Sequence, residues 1–95
     1  MRPNSIDDYV FICLLNGKWW TFWDLQKTIR EKVGRLYGEP SISAAIRDIR
    51  KIPQRNKYNL PMTGEVIDKR RIEGGKGYEY KLAVDTDDLR RKLEK

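Results

Sequence analysis

Apolar residues recur at helical spacing along the first third of the chain. Ile6, Tyr9, Val10, Cys13 and Leu14 fall on one face of a helix that Ser5 can cap, that Asp7 and Asp8 favour at its positive end, and that Gly17 stops. Its other side is apolar as well, with Phe11, Ile12 and Leu15, so this helix is either enclosed by the fold or lends one face to a partner subunit. Lys18 to Trp20 reads as a short edge strand. Thr21, with Asp24 three residues on, resembles a capping box and opens a second helix with Leu25, Ile29 and Val33 inward and Gly34 at its end. In SISAAIRDIRK, residues 41–51, the positions Ile42, Ala45, Ile46 and Ile49 share an arc about 100° wide. With Ser41 as cap and Pro53 as terminator, a third helix is predicted over 42–52.

The period then changes. Residues 53–63, PQRNKYNLPMT, carry two prolines and two asparagines and read as a long loop, either mobile or a contact element. Beyond it Tyr78, Tyr80, Leu82 and Val84 alternate with Glu79, Lys81 and Ala83, a half-buried strand. A two-residue turn at Gly74 and Gly75 pairs Glu73 with Lys76, Arg70 with Glu79, Asp68 with Lys81 and Ile67 with Leu82, giving three opposite-charge pairs and one apolar pair. Thr86 is the expected cap of a last helix through Lys95, with Leu89 and Leu93 as a narrow stripe that covers Phe11 and Leu15 or pairs with its counterpart in a second copy. The prediction is an α+β fold: a three-helix core, a C-terminal β-hairpin and a short terminal helix. Its 95 residues make one domain, with a core over about 6–84 and a helix or tail over 85–95.

Charge adds a direction. The net charge is +6, and between Arg47 and Lys81 ten cations meet five anions, so most of the excess lies on the third helix and the hairpin. Such a balance suits nucleic acid or another anionic surface. One cysteine and no histidine exclude a Cys/His zinc site and an internal disulfide. The longest apolar run, Tyr9 to Leu15, is too short to span a bilayer, so a cytoplasmic protein is expected, with no membrane partner. Trp19, Trp20, Phe22 and Trp23 are too crowded for every ring to be buried; an exposed member could stack on a base or a partner, but a structural cluster with one edge at the surface is the expected reading.

The order helix, edge strand, helix, turn, helix, hairpin, together with GKWWT before the second helix and SISAAIRDIRK followed by RR, a Gly-rich tip and GYEYKL, resembles small winged helix-turn-helix DNA-binding proteins of bacteriophages and prophages. The likeness covers about Ile6 to Leu82. It implies that helix 42–52 enters the major groove of double-stranded DNA and that the wing, around 69–77, touches backbone or the adjacent minor groove, in a transcriptional regulator or architectural factor. The long 53–63 segment departs from that pattern.

The residues support this on physical grounds. Ser43 and Ala44 allow close approach to base edges, and Arg47 can donate two hydrogen bonds to guanine O6 and N7. Arg50, Lys51 and Arg55 near the helix end, with Lys69, Arg70, Arg71 and Lys76 in the wing, suit phosphates. Asp48 orients a neighbouring cation, accepts from a cytosine amine, or is simply solvated. Phe11, Ile12, Leu15, Leu89 and Leu93 are the candidate homodimer surface. The alternative functions are a module that contacts protein or RNA without specific DNA binding, and a basic face that is merely solvated. Glu79, Tyr80 and Lys81 form the E-x-K triplet of metal-dependent nucleases, with Asp68 upstream, but the hairpin register explains the same residues as cross-strand pairs. No catalytic residue, metal, cofactor or small-molecule ligand is predicted.

Overall fold

The structure is a computed structural model that describes residues 2–94, so Lys95 of the expected terminal helix lies outside the described residues. The elements run α1 (Ile6–Leu14), β1 (Trp20–Thr21), α2 (Phe22–Val33), α3 (Glu39–Ile49), α4 (Ile52–Lys57), β2 (Ile67–Arg71), β3 (Tyr78–Leu82) and α5 (Thr86–Leu93). The three strands form one antiparallel sheet in the order β1-β3-β2. Helices cover the side of it from which Ile67, Tyr80 and Leu82 project, and Tyr80 stacks on Phe22 with ring centres 5.2 Å apart. Among the described residues no helix is long and apolar enough to cross a membrane.

Local chemistry sets the first helices as the sequence predicts. Ser5 Oγ accepts from Asp8 N and Thr21 Oγ1 from Asp24 N, and Gly34 closes α2 in the left-handed conformation. Gly17 ends the turn after α1 at φ +74°, and a Cβ there would stand 2.9 Å from Thr86 Oγ1, so this glycine serves both the turn and the approach of α5. The terminal helix is capped one residue earlier than expected, by Asp85, which accepts from the amides of Asp87 and Asp88. The edge strand falls on Trp20–Thr21 rather than Lys18 to Trp20.

The third helix begins earlier and ends earlier than predicted. Gly38 is its cap and Pro40 lies in its first turn, where a missing N–H is tolerated. It stops at Ile49, and Lys51 is extended at ψ 151°. Pro53 therefore opens α4 instead of closing α3, so the first half of the predicted 53–63 loop is helical. That short helix is anchored by long-range contacts. Tyr58 is fully buried and stacks on Phe11 at 4.0 Å, Tyr58 Oη donates to Asp8 Oδ1 at 2.6 Å, Lys57 Nζ pairs with the same oxygen at 2.8 Å, and Gln54 donates to Asp7 at 2.6 Å. Fully burying Tyr58 and Phe11 contributes roughly 2–3 kcal/mol each. The second apolar side of α1 is thus partly a seat for α4.

Asp8 is only 1% exposed, yet it is well served: Asn4 N donates to its second oxygen at 3.0 Å. Burial opposes its ionisation, but Lys57, Tyr58 and Asn4 outweigh that and hold its carboxyl below the usual range. Burial and the Asp8 hydrogen bond push the Tyr58 phenol far above its ordinary value, and burial raises Asp7 despite Gln54. Among the described residues no buried side-chain nitrogen or oxygen lacks a partner.

The hairpin has the predicted register, with Ile67 opposite Leu82, Asp68 opposite Lys81 and Arg70 opposite Glu79. Its tip differs. Ile72 N donates to Gly77 O and Gly75 N to Ile72 O, so Glu73–Lys76 is a four-residue loop, made possible by left-handed Gly74 and Gly77.

Candidate functional site

Four apolar residues of α3, Ile42, Ala45, Ile46 and Ile49, are buried, which leaves Ser43, Ala44 and Arg47 on its outer side, with Lys51 just past its end. Ser43 and Ala44 are half-exposed and Arg47 is exposed. Among the described residues the Arg47 guanidinium takes part in no hydrogen bond or ion pair, whereas Lys51 Nζ pairs with Asp48 at 3.1 Å. Of the readings open for Asp48, the structure shows the neighbour-orienting one.

Two of the cations predicted for phosphates are engaged inside the fold. Arg50 Nε pairs with Glu65 Oε1 at 3.1 Å. Arg55 donates from Nε to the Arg50 carbonyl at 2.6 Å and from Nη1 to the Pro61 carbonyl at 3.1 Å, so its guanidinium closes the end of α3 onto the segment leading to β2. Carbonyls left open at a helix end attract such a donor. Neither arginine offers its full set of donors to a ligand.

The hairpin cations divide by face. Strand alternation sends Lys69 and Arg71 out on the side of Ile67, the side the helices occupy, and Arg70 out on the other. Lys69 Nζ lies 4.1 Å from the centre of the Tyr78 ring, with its charge at the surface. Arg70 is held between Glu79, at 2.7 Å, and the Trp19 ring, at 4.0 Å. Lys81 also lies over Trp19, at 5.1 Å, and among the described residues its expected ion pair with the facing Asp68 is not formed. Arg71 and Lys76 are exposed and, among the described residues, pair with no carboxylate. The E-x-K residues are accounted for in the same way, and among the described residues no group of three or more His, Cys, Asp or Glu side chains could hold a metal ion.

Of the predicted homodimer residues, Phe11 and Leu89 are buried in the core and offer a partner no surface, and Tyr58 stacks on Phe11 from within the chain. Ile12, Leu15 and Leu93 are half-buried and line a shallow hollow with Arg90 and Glu94.

The crowded Trp19, Trp20, Phe22 and Trp23 cluster has its expected edge at the surface in Trp23, while Leu36 was not singled out by the sequence. Trp23 is 65% exposed and Leu36 63%. Trp23 forms one wall of a groove between the first turns of α2 and α3 and the hairpin tip, whose other walls are Glu39, Ile72, Lys76 and Tyr78. The signal for it was available: Trp23 stands off the inward stripe Leu25, Ile29 and Val33. Comparison with known proteins gives no match, since no family model, curated protein or solved structure matches the chain.

Proposed function

We propose that the chain is a winged helix-turn-helix domain that binds double-stranded DNA, with α3 in the major groove and the β2–β3 hairpin as the wing on backbone or the adjacent minor groove. The observation that carries this reading is that, among the described residues, Arg47, Lys69, Arg71 and Lys76 have no carboxylate of their own: four exposed cations on the two elements such a fold uses for contact. Arg47, beside the small side chains of Ser43 and Ala44, is the base-reading residue. Lys69, Arg71 and Lys76 hold phosphates, with Lys51 as a weaker contributor because Asp48 already pairs with it. The role that follows is regulation or shaping of DNA, in keeping with the resemblance to phage and prophage proteins.

With Arg50, Arg55 and Arg70 engaged internally, about four or five phosphate contacts are left, for a logarithmic salt slope of roughly −4. The test is fluorescence anisotropy of a labelled duplex at two salt concentrations, beside a single-stranded RNA of equal length. Micromolar, salt-dependent duplex binding supports the reading, and no duplex binding at low salt ends it. The exposed Trp23 and Leu36 favour a second reading, a module that contacts protein or RNA, and stronger binding to the RNA than to the duplex would select it.

A further inference from the structure

We infer that the groove between Trp23 and the hairpin tip receives an unpaired nucleotide of the bound DNA, its base lying against Trp23 and its edge turned to Glu39. The inference rests on the DNA-binding reading and adds a preference to it.

The groove has a volume of about 260 Å³ and is lined by Thr21, Phe22, Trp23, Glu39, Ile72, Lys76, Gly77 and Tyr78. Two of its walls are aromatic and accessible, with Trp23 65% and Tyr78 42% exposed. Neither ring is needed to close the core, and a flat apolar ring at the surface gains most from another flat ring laid on it. Cations accompany both. Lys27 Nζ lies 5.2 Å from the Trp23 ring centre, Lys69 Nζ lies 4.1 Å from that of Tyr78, and Lys76 stands at the groove itself. Aromatic faces beside ammonium groups match a base joined to its phosphate.

Glu39 decides between a nucleotide and a bare phosphate or an acidic peptide. It is exposed and, among the described residues, its carboxylate forms no hydrogen bond or ion pair. A carboxylate only accepts, so it repels an anion placed against it and favours an edge that donates. Guanine presents two adjacent N–H donors on its pairing edge, and that edge is accessible only when the base is out of the duplex. The groove adjoins the first turn of α3 and the hairpin tip, so a nucleotide displaced from DNA lying on those elements can reach it.

The test compares one duplex in two forms, fully paired and with a single bulged dG, titrated with the wild-type chain and with Trp23→Ala. Because Trp23 is a surface residue of a first helical turn, the variant is expected to keep the wild-type circular dichroism spectrum. The expected result is that the bulged duplex binds roughly 5-fold tighter or more, as stacking of one base on an aromatic ring provides. Trp23→Ala should remove that advantage and leave the paired duplex unchanged, and Glu39→Gln should reduce the advantage of dG over a bulged dT. Equal binding of both duplexes by the wild type overturns the inference and leaves the DNA-binding reading standing. A bulge preference that survives Trp23→Ala overturns the assignment of the groove. Absence of binding to either duplex at low salt overturns both readings together.

Discussion

At the N-terminal end of α1, Asp7 and Asp8 are matched by Gln54, Lys57 and Tyr58 from α4. On the outer side of α3 and the hairpin, Arg47, Lys69, Arg71 and Lys76 pair with no carboxylate among the described residues. Both regions are charged, but the first closes on itself and the second does not. Net charge alone does not distinguish them. Arg50, Arg55 and Arg70 belong to the basic stretch by position and to the closed kind by contact, because carbonyls, Glu65, Glu79 and Trp19 already engage them.

Breaking the closed region should give the largest effect. Asp8→Ala removes the acceptor of Tyr58 and Lys57 and leaves a buried hydroxyl unpaired, for a loss of about 3 kcal/mol in urea unfolding. A loss below about 1 kcal/mol would mean that the hydroxyl finds another partner. Under the proposed function the open region should respond in affinity instead. Arg47→Ala should weaken binding to a selected cognate duplex by about 10-fold or more and to random duplex by less, and equal losses on both would remove its base-reading role.

Acid offers a subtler separation. The folded Asp8 carboxyl lies below its unfolded value, so its contribution is fully present above the ordinary carboxylate pKa of about 4 and is lost as pH falls through the lower folded value. Asp7 is raised and acts with the opposite sign, which offsets part of the loss. Stability should therefore decline below about pH 4, and Asp8→Asn should flatten that decline in thermal melts taken across the range. The smallest effects should separate the two hairpin faces. Arg71→Ala should weaken all duplexes alike and reduce the magnitude of the salt slope by about 1, while Arg70→Ala should leave the slope unchanged.

How much of this was legible depends on the distance over which each signal acts. Ser5, Thr21 and Gly34 work within a turn of their own helix, and the hairpin register follows from facing residues, so these were readable. The outer position of Arg47 followed from helical period alone. The short helix α4 was not readable in the same way. Its anchors, Tyr58 on Asp8 and Phe11, join positions about half the chain apart, and Pro53 signals a helix start as readily as a helix end. Whether a cation is available was also hidden, since Arg55 is held by two backbone carbonyls, which no residue pattern displays.

Those two carbonyls have a mechanical meaning. Arg55 bridges the end of α3 to the approach of β2, and Arg50 makes a second tie to Glu65 two residues before the strand begins. The two elements are thereby braced at a set pitch, like the jaws of a locked caliper. Under the proposed function, a duplex lying across both would have to supply the adjustment itself, by curving or by changing the width of its grooves, and the sequences that yield most easily would be the ones such a caliper holds.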